Sequence, residues 1–404
     1  MQFELSAPLE CAGLSALWPK RRQVGALQGG FALLCVLLCA IVANAQSISA
    51  ECAPAQKQLQ AAELATMLND FQSAVDGYKL AVQIAPACVE AMVNLGVLQN
   101  KLNQPDEAIK AFQQAIAQKP QLVAAHLNLG ITYFRTARYD LAKESLRTTL
   151  KLDPQHAQAR QLLALSLIAR EEFKEAAVEL EQLAKLAPAA NTFVALGETY
   201  LRLKRYTDAA TAFEKALQLE PNSAKTRLRL GEALDNAGET DSAIAELQRA
   251  TKLDPSLPEA HYALGHVYLK RSNIDDALAE FQKELTNNPG MLLARYELGK
   301  IYYQRDRLDE AVNELTKVVD ADPTFRPAIE TLAQTRFKQG SIDEAITLLE
   351  RAVALDPAWP NAFALLGRAY TRAGRREDAK KAFATAQRLS AEERKRLEDA
   401  VSKP

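Results

Sequence analysis

From residue 55 onward the chain alternates between apolar, alanine-rich stretches and short polar breaks such as Asn103-Gln104, Gly238-Glu239, Gly340-Ser341 and Gly374-Arg375. Apolar residues recur with helical rather than strand spacing, so the pattern predicts helix, turn, helix, turn, with no strand. The turns closing each second stretch carry prolines, at 86, 120, 154, 188, 221, 255, 289, 323 and 357. Every interval is 34 residues except 188 to 221, which is 33. A fixed period of this size predicts an array of stacked units rather than independent globular domains.

Setting each proline at position 32 gives ten units, from 55–88 to 360–393, the last with Ala391 in place of proline. Position 8 is Gly96, Gly130, Gly197, Gly231, Gly265, Gly299 and Gly367, and alanine elsewhere. A glycine inside a helix costs about 1 kcal/mol against alanine, so close approach of a partner helix is the expected reason. Position 20 is alanine in all ten units, and position 24 is large and apolar throughout, from Tyr78 and Phe112 to Leu349 and Phe383. These residues are expected to fill the seams between helices. Proline cannot continue the second helix and is expected to end it.

Leu-Gly-x-x-Tyr at 129–133, 196–200, 264–268, 298–302 and 366–370, followed by the alanine, the bulky residue and the proline, resembles the tetratricopeptide repeat. The resemblance spans residues 55–393 and implies an all-α fold: a right-handed superhelical solenoid of tandem helix-turn-helix repeats with a C-terminal capping helix. The tryptophan often found at position 4 of that family is replaced here by residues such as His126, Phe193, His261 and Phe363. The 157–189 unit has Ala164 and Leu167 where glycine and tyrosine are usual and lacks one residue, so a local change of path is expected there. Ser390-Ala391-Glu392-Glu393 reads as a capping box that opens a charged capping helix, with residues 394–404 as its end and tail.

The segment ahead of the repeats has a different character. Lys20-Arg21-Arg22 precedes thirteen apolar residues, Phe31 to Ala43, and then Ala43-Asn44-Ala45. Basic flank, short apolar core and A-x-A site predict a secretory signal peptide over 1–45, cleaved after Ala45, with 46–54 as a linker. The alternative is an uncleaved membrane anchor, for which the apolar run is short. Both place the repeats outside the cytoplasm, periplasmic, secreted or held at the inner membrane. Cys11, Cys35 and Cys39 fall within the signal, leaving Cys52 and Cys88, one repeat apart. In an oxidising compartment these form a disulfide; otherwise they stay as two thiols.

A net charge of -1 argues against a dedicated nucleic-acid binder. None of His-Glu-x-x-His, Gly-x-x-x-x-Gly-Lys-Ser/Thr, Gly-x-Ser-x-Gly or Gly-x-Gly-x-x-Gly occurs, so no cofactor, metal or enzymatic activity is expected. His126 and His261, at position 4, are read as packing residues.

Function is then expected in a groove. The resemblance implies that positions 2, 5, 6, 9, 12 and 13 of the first helices line a concave face that takes a protein or peptide segment. On this chain position 6 gives Asn94 and Asn128, the start of an asparagine ladder that does not continue. Positions 5 and 12 give aromatics, including Phe134, Tyr262, Tyr296, Tyr303 and Phe337. Position 9 runs Glu198, Glu232, His266, Lys300, Gln334, Arg368, so the sign of charge changes along the face and would orient a bound segment. Arg202, at position 13, joins the candidates. Lys225 and Arg229, four apart on one helix, are candidate anion contacts; Ala195, Gln161 and Leu165 deny them the rest of the family's chaperone-carboxylate clamp. The leading reading is a non-enzymatic exported scaffold. The rival is a regulatory or substrate-selecting subunit acting in trans beside an envelope enzyme of glycosyl transfer, peptidase or secretion type. Oligomeric state is open.

Overall fold

A computed structural model of the chain describes residues 49–401; the segment read as a signal peptide lies outside the described residues. Twenty α-helices and no strand occur among the described residues, in two compact units that meet between Thr132 and Tyr133. The first unit holds a short 3₁₀ turn, Ala53–Ala55, then α1 (Gln56–Met67), α2 (Phe71–Ile84), α3 (Val89–Lys101), α4 (Pro105–Gln118) and α5 (Val123–Arg135) up to its Thr132.

The second unit continues with α6 (Tyr139–Leu152), α7 (Ala157–Ala169), α8 (Phe173–Leu186), α9 (Ala190–Arg202) and α10 (Tyr206–Leu219). There follow α11 (Ala224–Ala237), α12 (Thr240–Leu253), α13 (Ala260–Lys270), α14 (Ile274–Asn287) and α15 (Leu292–Gln304). The unit ends with α16 (Leu308–Ala321), α17 (Arg326–Gln339), α18 (Ile342–Leu355), α19 (Pro360–Arg372) and α20 (Arg376–Val401). Odd numbers are first helices of a pair and even numbers second helices.

Local chemistry sets the boundaries. First helices end on one left-handed residue, glycine at Gly238, Gly340 and Gly374 and a tolerated polar residue at Asn69, Asn103, Ser272 and Asp306. The next amide then reaches back to close the helix, as in Gln104 N–H to the Gln99 carbonyl (2.8 Å) and Glu239 N–H to the Leu234 carbonyl (2.8 Å). Second helices end on an extended residue that the following proline forces out of helical geometry, as at Asp153 (φ -135°, ψ 90°) before Pro154. At the short interval, three residues (187–189) separate α8 from α9 where four (153–156) separate α6 from α7, and Ala189 is correspondingly stretched to φ -142°, ψ 148°.

The seam between paired helices is tight at positions 8 and 24. A methyl on Gly197 would lie 2.7 Å from the Phe213 ring, on Gly265 2.8 Å from Phe281, and on Gly231 2.5 Å from Leu247. The small residue at position 8 therefore faces the bulky one at 24, which is fully buried at Phe112, Phe213 and Phe281. Phe383, on α20, is 41% exposed, with no further helix packed on it among the described residues.

Two polar rails run along the second unit, one tying a pair to the turn before it and the other joining successive pairs. At position 4, Arg227 donates to the Pro221 carbonyl (2.8 Å) and to Glu246 (2.6 Å), and Arg295 donates to the Pro289 carbonyl (2.8 Å) and Glu314 (2.5 Å). Arg160 reaches Pro154 (2.7 Å) and Glu179 (2.5 Å), and His261 sits between the Pro255 carbonyl (3.1 Å) and Glu280 (2.5 Å). The family's tryptophan is thus replaced by a polar staple that satisfies a turn carbonyl. The second rail uses the Leu-Gly-x-x-Tyr tyrosine. Tyr200 donates to Glu181 (2.7 Å) and Tyr370 to Glu350 (2.7 Å), while Tyr268 accepts from Gln248 (2.7 Å). Burial, then the neighbouring glutamate, pushes the Tyr200 and Tyr370 hydroxyls up to about 12.

Two further features concern the ends. Cys52 and Cys88 are joined by a buried disulfide with Cα atoms 4.7 Å apart, tying the 3₁₀ turn to the start of α3. At the other end, the helix expected to open at Ser390 does not start afresh: α20 runs unbroken from Arg376 to Val401. Ala391 replaces the ladder proline, so nothing in the backbone stops the second helix, and the charged stretch extends it.

Candidate functional site

Two cavities in the second unit are lined from first helices. One, of about 570 Å³, is walled by Leu201, Glu232, Asp235, Glu259, Tyr262, His266, Lys270, Met291 and Leu293, among others. The other, of about 500 Å³, is walled by Tyr303, Glu330, Gln334, Phe337, Lys338, Leu365, Arg368 and Arg372 with neighbours. Most of these occupy positions 2, 5, 6, 9, 12 or 13 of their repeats. The Gly-for-bulk packing of the opposite face is what turns these positions outward together.

The cavities differ in charge. Around the first, carboxylates outnumber cations: Arg229 is shared between Glu198 (3.1 Å) and Glu232 (2.8 Å), and Lys270 binds Asp235 (2.5 Å). Burial raises the Glu232 carboxyl above the ordinary range; Arg229 opposes this, while Glu259 and Glu198 add to it. In the second cavity Lys338, Arg368 and Arg372 face Glu330, whose carboxyl burial also raises. Arg372 lies over the Phe337 ring at 5.1 Å and Lys338 over Tyr303 at 5.4 Å, and Lys338 also pairs with Asp306 (2.6 Å). Both cavities combine an aromatic or aliphatic floor with charge, the surface that suits a peptide segment.

The sequence candidates distribute unevenly over this surface. Glu232, Tyr262 and His266 come together in the acidic cavity, with the His266 and Tyr262 rings 6.3 Å apart, and Tyr303 lines the basic one. Tyr296 packs on Phe325 (ring centroids 5.4 Å apart), with Lys300 over its ring (5.5 Å) and paired to Glu297 (2.7 Å). Arg202 is exposed over the Phe173 ring at 5.1 Å. Lys225 is exposed, but Arg229 is committed to two carboxylates of its own chain, which disfavours its use as an anion contact. In the first unit, Asn128 donates to the Ala124 carbonyl (2.8 Å) on its own helix, and Asn94 is half-buried beside the Tyr78 hydroxyl.

Asp235, Glu259, Lys270, Lys338 and Arg372 were not among those candidates, although each occupies a groove position. At position 12 the aromatics stand out in the sequence and Asp235 does not, and at positions 2 and 13 single charges such as Lys225 and Arg202 stand out no more than Glu259, Lys270, Lys338 or Arg372.

This architecture defines an all-helical repeat protein whose first helices line the two cavities. Tetratricopeptide repeat family models match residues 101–165, 200–267 and 336–402, and 55–123 and 262–324, which is most of the chain. The chain belongs to the tetratricopeptide repeat family. No curated protein matches it. Among solved structures it is similar to YrrB, a tetratricopeptide repeat protein with an unusual peptide-binding site, at 24% identity and TM-score 0.42, covering 46% of this chain and 96% of that one. It is also similar to MamA from Desulfovibrio magneticus RS-1, at 22% identity and TM-score 0.40, covering 42% of this chain and 96% of that one. A monomeric mutant of IFIT1 with Gppp-AAAA aligns at 20% identity and TM-score 0.37, over 82% of this chain and 80% of that one.

Proposed function

We propose that the chain is an exported, non-enzymatic scaffold that holds a partner protein segment against its first helices. The observation that carries this is the pair of cavities with apolar floors and opposite charge on that face of the second unit. A segment that shields Tyr262 and Tyr303 and matches both charges would be gripped in one direction. Export is supported by the basic, apolar and A-x-A pattern of residues 20–45 and by the buried Cys52–Cys88 disulfide, which suits an oxidising compartment. In this reading all ten helix pairs count as repeats, including those partly outside the matched spans.

The test is a pull-down from envelope fractions with the wild-type chain and with Tyr262→Ala combined with Tyr303→Ala. Partner recovery should fall while helicity by circular dichroism stays unchanged. Equal recovery of the same partners by the double variant would remove the groove from the proposal.

A further inference from the structure

Resting on the groove reading above, we infer that the acidic cavity selects a lysine or arginine side chain of the bound segment. The cavity's carboxylates outnumber its cations. Glu198 and Glu232 share Arg229, Lys270 takes one oxygen of Asp235, and Glu259 forms no ion pair among the described residues. Asp235 is the telling group. Its side chain is only 10% exposed, and Oδ1 has no hydrogen-bond partner although Oδ2 is paired. A buried carboxylate oxygen without a donor is unfavourable, and a guest N–H is the group that would satisfy it. Lys270 covers this carboxylate but is itself 44% exposed on a flexible stem, so it can yield to a guest cation.

The walls suit the rest of such a side chain. Tyr262 offers an aromatic face to an ammonium or guanidinium group, while Leu201, Met291 and Leu293 line the path of an aliphatic stem. The Tyr262 backbone is fixed by the buried Glu284, which accepts the amide N–H groups of both Glu259 and Tyr262 at 3.3 Å. The same two bonds hold Glu259 in the left-handed region (φ 68°), the one non-glycine residue with positive φ among the described residues that does not lie in a turn between paired helices. That conformation sets Glu259 at the rim of the cavity. Charge complementarity therefore points to one occupant: an extended partner segment with a basic residue between apolar ones. The cations of the neighbouring cavity disfavour the same residue there, which fixes the register.

The experiment uses the purified full chain and short labelled peptides of one leucine-alanine-serine background, with arginine, lysine, citrulline, norleucine or glutamate at the centre. Fluorescence anisotropy should show the arginine and lysine peptides binding about tenfold tighter than the citrulline and norleucine ones. Glu259→Gln, which touches an exposed side chain, and Asp235→Asn with Glu259→Gln should erase that preference without weakening the citrulline peptide. Circular dichroism of both variants should match wild type. If all peptides bind equally, and binding is lost in Tyr262→Ala, the charge selection is wrong and the groove reading stands. If no peptide binds, both fall. Self-association abolished by Asp235→Asn would overturn the inference by assigning the cavity to a second copy of the chain.

Discussion

Phe281 and Phe383 occupy the same position in their repeats and each faces its own repeat's position-8 glycine, Gly265 and Gly367, yet one is fully buried and the other 41% exposed. Truncation should separate them. Phe281→Ala is expected to destabilise by about 3–5 kcal/mol, as for a large buried aromatic. Phe383→Ala should cost markedly less, and chemical denaturation followed by hydrogen exchange of the flanking helices would read the difference. Equal losses would mean that Phe383 is covered in solution. Glu232 carries a second prediction at this scale. Its carboxyl is raised by burial, so its charged form weakens the fold at neutral pH, and that cost is relieved as pH falls through the raised value. The stability advantage of Glu232→Gln over wild type should therefore be largest at neutral pH and shrink on acidification in thermal melts. The reverse slope would show that Arg229 outweighs burial.

Also at the residue scale, half of the polar staple is legible in the sequence. At Arg160, Arg227, His261 and Arg295 position 4 is basic and position 23 is glutamate, at Glu179, Glu246, Glu280 and Glu314, while His126 has Ser145 there and keeps only the Pro120 carbonyl (2.8 Å). Where position 4 is Phe193 or Phe363, position 23 is Ala212 or Ala382. The pairing is visible inside one sequence, but the second acceptor, the carbonyl of the preceding proline, is a backbone atom that no residue type announces.

Between elements, the Cys52–Cys88 disulfide holds the entry turn against α3 across a separation of 36 residues. Closing a loop of that length stabilises by about 3–4 kcal/mol in the chain-entropy account. Cys52→Ser with Cys88→Ser should lower the stability of the first unit by that order and leave the second nearly unchanged, because repeat arrays unfold regionally. Hydrogen exchange resolved by peptide would check it; loss spread evenly over both units would contradict regional unfolding. Helix boundaries were readable at this scale because prolines and left-handed turn residues act locally. The exception is α20, where a capping-box pattern sat inside a helix that had no proline to end it.

Taken over the whole molecule, the sequence alone determined the family and the helix pairing. The reason is that a 34-residue period carries the same packing requirement many times over, so single departures do not blur it. Tertiary structure decided which outward residues work together. Asp235, Glu259 and Lys270 lie up to 35 residues apart and became one acidic cavity only when neighbouring first helices aligned. It also decided that Arg229, attractive as an anion contact in the sequence, is neutralised by Glu198 and Glu232. Periodicity reports burial, which each repeat sets for itself; charge pairing depends on distances between repeats, and those exist only in the folded chain.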